Sequence, residues 1–177
     1  MPANKAGLHE AACKYVEEEF KRVGGTPPVW IIGCGNSVAW MVTPWESGDE
    51  KQFTIDSMRE LLAMTRAQCY ATVSEAWMFT TDILPEDEKK HWTKHAAEHG
   101  LSRVPDKYKD DIVMINSFDR TENFLQSNYK VTIRQRGQGL SFLGPRMDTD
   151  YKGGFSGRMW NLLLPPREME IPESMTE

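Results

Sequence analysis

Residues 69 to 80 read Cys-Tyr-Ala-Thr-Val-Ser-Glu-Ala-Trp-Met-Phe-Thr. The run is dense in β-branched and aromatic side chains, holds no Gly or Pro, and predicts an interior β-strand. Period 2 assigns Ala71, Val73, Glu75, Trp77 and Phe79 to one face. Tyr70, Thr72, Ser74, Ala76 and Met78 take the other. A carboxylate on the apolar face must be paired with a cation, hydrogen-bonded by several donors, or held neutral, so Glu75 stands out as a chemically unusual residue.

The flanking segments supply partners for this strand. Leu8, Ala12, Tyr15, Val16, Phe20 and Val23 recur at helical spacing and predict a helix over residues 6–23, stopped by Gly24-Gly25. After Thr26-Pro27-Pro28, two apolar runs at 29–33 and 38–43 flank a short Gly/Asn loop, which is a hairpin signal. Residues 44–50 read as a polar loop containing Trp45. A second helix is expected to start near Thr54 or Asp56, with Ile55, Met58, Leu62 and Thr65 on one face. Asp82, Pro85, the acidic residues 86–88 and Gly100 frame a third helix. Residues 101–111 read as a charged linker. Residues 111–118 read as a strand buried on both faces, 119–123 as a turn, 128–136 as a strand, and 140–143 as the final strand. Residues 144–157, with Pro145 and four glycines, read as a loop, and 158–164 as an apolar segment returning to the core.

This order predicts an α+β fold: a mainly antiparallel sheet of about five to six strands with two to three helices packed on it. Residues 1–164 are expected to form a single domain, and residues 165–177 a flexible acidic tail.

Composition narrows the function classes. No apolar run approaches the roughly 20 residues of a membrane span, which argues against a membrane protein. The start of the chain leads into a charged helix and not an apolar signal segment, so a cytoplasmic location is expected. Cys13, Cys34 and Cys69 are odd in number and far apart, which fits neither a disulfide framework nor a zinc ribbon. The net charge of -5 conceals a basic middle: residues 103–158 carry 10 Lys/Arg against 7 Asp/Glu. That excess is too small for a nucleic-acid-binding composition. Walker loop, Cys-x-x-Cys, hydrolase elbow and dinucleotide fingerprint are all missing.

Three functional readings follow. The first is a non-enzymatic interaction domain that binds a protein partner or itself as a homodimer. It rests on six Trp and ten Met in the chain, several near element ends, with Trp45 as a candidate contact. The second is a metal-dependent hydrolase. His91, His95 and His99 fall at i, i+4 and i+8 on one helix face, and zinc bound by two of them would take Glu75 as a further ligand or general base. The outer two lie about 12 Å apart by helix rise, too far to share one ion. The third is polyanion binding through Lys130, Arg134, Arg136 and Arg146. The interaction domain is the leading expectation.

Overall fold

The computed structural model describes residues 3–79, 84–133, 141–152 and 161–164. Helix α1 (Lys5–Val23) starts where the Asn4 side chain accepts the Gly7 N–H at 2.8 Å. It stops at Gly24, which takes the left-handed conformation with φ 72° and returns its N–H to the Phe20 carbonyl. Strands β1 (Val29–Cys34) and β2 (Ser37–Val42) form a hairpin closed by Gly35-Asn36. Gly35 has φ 60°, and Asn36 does not share a positive φ, as in a type II′ turn.

Helix α2 (Gly48–Met64) starts earlier than its apolar pattern suggests. Ser47 accepts the Glu50 N–H at 3.1 Å, and the Glu50 carboxylate accepts the Glu46 N–H at 2.6 Å. These reciprocal bonds carry the helix back through residues expected to be loop. Ile55, Met58 and Leu62 form its buried stripe, as the spacing predicts.

Strand β3 (Cys69–Phe79) is the predicted central strand. Helix α3 (Glu86–His99) follows, ending at Gly100 with φ 82°. The expected linker contains two short 3-10 turns, Leu101–Arg103 and Asp106–Tyr108, and its last residues already belong to the next strand. Strands β4 (Lys109–Asp119), β5 (Asn123–Ile133) and β6 (Ser141–Lys152) complete the sheet. β6 overturns the reading of residues 144–152 as a loop; residues 153–157 lie outside the described residues. Pro145 is tolerated because β6 lies at the edge and is bulged there. Tyr129 faces Arg146 and Val131 faces Leu143, so Gly144 and Pro145 together oppose Lys130.

The result is an α+β fold with six described strands in the order β2-β1-β3-β4-β5-β6, all neighbours antiparallel. Helices α1 and α2 cover opposite faces. On one face Leu8, Ala12, Cys13, Val16 and Phe20 pack on Val29, Ile31, Ala71, Val73, Val113, Ile115 and Tyr129. On the other, Ile55, Met58 and Leu62 pack on Trp30, Ile32, Tyr70, Phe118 and Phe124. Leu162 joins this second core, and its N–H donates to the Tyr70 hydroxyl at 2.9 Å. That agrees with the expected return of the apolar segment at residues 161–164; residues 158–160 lie outside the described residues.

Glu75 is not on a buried apolar face. β1 pairs with β3 only from Cys69 to Val73, whereas β4 continues alongside β3 as far as Phe79. Glu75 and Trp77 therefore share the face of Ala71 and Val73 but project past the cover of α1, and both are exposed. The alternation is as expected; the core ends sooner than the strand.

Candidate functional site

A polar clamp lies beneath α1, a cavity lies beside it, and β2 forms an outer edge of the described sheet. The clamp begins with His9, which occupies the apolar seam of α1 and is only 3% exposed. Its Nδ1 lies 2.7 Å from Ser117 Oγ on β4, and its Nε2 lies 2.7 Å from Ser127 Oγ on β5. Ser127 donates its hydroxyl proton to Asp148 Oδ1 at 2.5 Å. Its oxygen must then accept from His9, which places the imidazole proton on Nε2. Ser117 donates to Nδ1. One neutral tautomer thus satisfies the whole chain.

Arg146 closes the clamp on the outside. Its Nη1 and Nη2 donate to the two Glu10 oxygens at 2.9 and 2.7 Å, and its Nε donates to Asp148 Oδ1 at 2.5 Å. The fork holds the Glu10 and Asp148 carboxyls below their ordinary range, chiefly through its hydrogen bonds. Burial, followed by the nearby Arg146 charge, lowers the pKa of His9 below 6.5. The Cys13 thiol lies beside the Ser127 and Tyr129 hydroxyls, and burial pushes its pKa up. It is a packing thiol rather than a nucleophile.

Serine, histidine and aspartate occur together here, but their roles differ from those of a hydrolytic triad. The carboxylate binds a serine and not the imidazole, and Ser117 and Ser127 are both completely buried. A substrate has no path to either hydroxyl. The arrangement fastens α1 to β4, β5 and β6.

Beside the clamp, the second half of α1 and the bulged end of β6 line a half-open cavity of about 530 Å³. Phe20, Phe142, Leu143 and Pro145 form its apolar lining. Tyr129 closes the inner end and donates its hydroxyl to Glu17 Oε1 at 2.9 Å. Burial and the Glu17 carboxylate together raise the Tyr129 pKa, so the hydroxyl remains protonated.

The third place is β2. It is an outer strand with unbroken pairing to β1 on one side and no strand on the other among the described residues. Val38, Trp40 and Val42 point to the α1 face and are 46, 47 and 58% exposed. Trp40 leans on Tyr15 of α1, with ring centroids 5.4 Å apart. Met41 on the opposite face packs at the margin of the α2 core.

The sequence-predicted residues fall elsewhere. His91, His95 and His99 line one side of α3, with successive ring centroids 6.2 and 4.7 Å apart. Trp92 holds that helix to Tyr108, and the Tyr108 hydroxyl donates to Glu88 at 2.9 Å. Glu75 instead lies near the turn after α1, where a side chain added at Gly25 would come within 3.8 Å of its carboxylate. Among the described residues no three His, Cys, Asp or Glu side chains group as metal ligands would. Trp45 is half-buried with the Lys51 ammonium 5.3 Å from its ring. Lys130 pairs with Asp110 at 2.6 Å, and Arg146 belongs to the clamp. Arg134, Arg136 and the tail from 165 lie outside the described residues.

Sequence reasoning missed the clamp and the cavity. A signal for the clamp was present, since His9, Cys13, Val16 and Phe20 share the helical stripe, and a histidine in such a seam needs polar partners opposite. No helix among the described residues is long and apolar enough to cross a membrane. Compared with family models, with curated proteins and with solved structures, the chain matches none.

Proposed function

We propose that this chain is a non-enzymatic interaction domain whose partner is a second copy of itself, joined by antiparallel pairing of β2 with β2. The observation that carries this reading is the contrast between the two sheet edges. β6 has a bulge, Pro145 and the charged pair Arg146 and Asp148, devices that discourage strand addition. β2 reads Ser-Val-Ala-Trp-Met-Val and has no charge, proline or bulge. An apolar, regular edge of this kind is a template for another strand.

Symmetry makes the pairing self-complementary. A two-fold axis normal to the sheet at Trp40 sets that residue against Trp40 of the second copy, and Val38 against Val42. Residues directly opposite in an antiparallel pair share a face, so the half-exposed apolar side chains of both copies form one band. The unpaired backbone groups of both edges are satisfied in the same step.

The buried serines and histidine, as arranged, support structure rather than catalysis. Three free thiols fit a reducing cytoplasm.

The test is solution mass by light scattering over a dilution series. Wild-type protein is expected to reach the mass of two chains as concentration rises. Trp40→Lys, which places two like charges opposite each other across the pair, is expected to stay at one. A wild-type monomer throughout, or an unaffected dimer in the variant, contradicts the proposal.

A further inference from the structure

We propose that the cavity between α1 and β6 is a binding site for a small neutral amphipathic alcohol or phenol, its hydroxyl held by Glu17 and Lys21. This is independent of association through β2.

A volume of 530 Å³ falls within the roughly 300–1,000 Å³ of small-molecule pockets. The cavity has a structural cause. Arg146 and Glu10 hold β6 against α1, and the next residues towards the start of β6 are the bulged Pro145 and Gly144. Bulges bend a strand and redirect its side chains. Gly144, which has no side chain, lines the cavity at the bulge. Phe20, Phe142, Leu143 and Pro145 supply apolar surface on several sides.

The polar groups decide the head of the ligand. Tyr129 spends its hydroxyl proton on Glu17 Oε1, so it presents no donor to a ligand, while Glu17 keeps Oε2 as an acceptor. Arg146 also lines the cavity, but its fork is engaged with Glu10 and Asp148. It offers no ready seat for an anion. Lys21 stands one turn along the helix from Glu17, exposed at the rim. A carboxylate head would face the Glu17 charge, and an ammonium head would face Lys21. A hydroxyl suits both, donating to Glu17 and accepting from Lys21. The apolar ring or chain then occupies the space between Phe20 and Leu143.

The experiment titrates methyl-labelled protein with 4-propylphenol, with 4-propylbenzoate and 4-propylbenzylamine as charged counterparts, and follows the spectrum. The phenol is expected to move the Leu143 methyl signals saturably and to bind at least about tenfold more tightly than either charged probe, the scale of one mismatched charged hydrogen bond. Leu143→Trp, which fills the cavity and is followed through the methyls of Val131, the residue opposite Leu143, is expected to abolish that binding. Glu17→Gln, which keeps one oxygen to accept from Tyr129 and replaces the other with an amide nitrogen, is expected to weaken it about tenfold. The proposal is overturned if the phenol leaves Leu143 unmoved, if a charged probe binds equally well, or if Glu17→Gln has no effect.

Discussion

The ring of Trp40 on the outermost strand rests on Tyr15 of α1 at 5.4 Å between centroids, with planes inclined by 59°. One face of the indole is supported from within the fold, while 47% of the residue remains open. Aromatic residues held rigid in this way lose little side-chain freedom on association and recur as interface anchors. Replacing Tyr15 with Ala is therefore expected to weaken self-association several-fold without touching β2 itself. Dilution calorimetry reads the dissociation constant of each variant, and identical constants would show that the support is irrelevant.

The clamp predicts acid sensitivity. His9 has a folded pKa below 6.5, so the unfolded chain binds its proton first. Its contribution is fully present above pH 6.5 and declines as pH falls towards the lower folded value, at up to about 1.4 kcal/mol per pH unit. Glu10 and Asp148 also have lowered folded pKa values, and their contributions fade at still lower pH, near and below the ordinary carboxyl range. Urea melts at pH 7.5, 6.5 and 5.5 should show the loss in wild type and a flatter profile in His9→Gln. At pH 7.5, His9→Leu is expected to cost about 2 kcal/mol, because the buried Ser117 hydroxyl loses its acceptor while Ser127 keeps Asp148.

Gly33 is restricted by space. A Cβ there would lie 2.7 Å from the Ala3 Cβ and 2.8 Å from Cys69 Sγ. Gly33→Ala should destabilise the fold by about 2 kcal/mol through overpacking, measurable as a lower denaturation midpoint with an unchanged slope.

The cap of α2 should be separable from its packing. Ser47→Ala removes the acceptor for the Glu50 N–H and is expected to cost about 1 kcal/mol. Ser47→Asn should restore most of it. Thermal melts of the two variants side by side check the ranking.

The parts of the fold governed by period and punctuation are readable in the chain. α1, the β1–β2 hairpin, the apolar stripe of α2 and the alternation of β3 all follow from spacing and from glycines at their ends. What escapes is set by neighbours far along the chain. Glu75 has the alternation expected of it, but its exposure depends on β1 stopping at Val73. Pro145 signals a loop locally, and only the edge position and bulge of β6 make it compatible with a strand. Ser47 and Glu50 are three residues apart, a capping pattern readable without the structure, though the later apolar stripe draws attention past it. His9 requires Ser117 and Ser127, each more than 100 residues away, before its position makes chemical sense.

The central claim concerns which edge pairs, so the most direct measurement is amide hydrogen exchange of Ser37–Val42 at low and high protein concentration. Pairing β2 with β2 should bring new protection to these residues as concentration rises, with Ser141–Lys152 unchanged and the gain lost in Trp40→Lys. Exchange in β2 that is independent of concentration, or protection that appears along β6 instead, would contradict it.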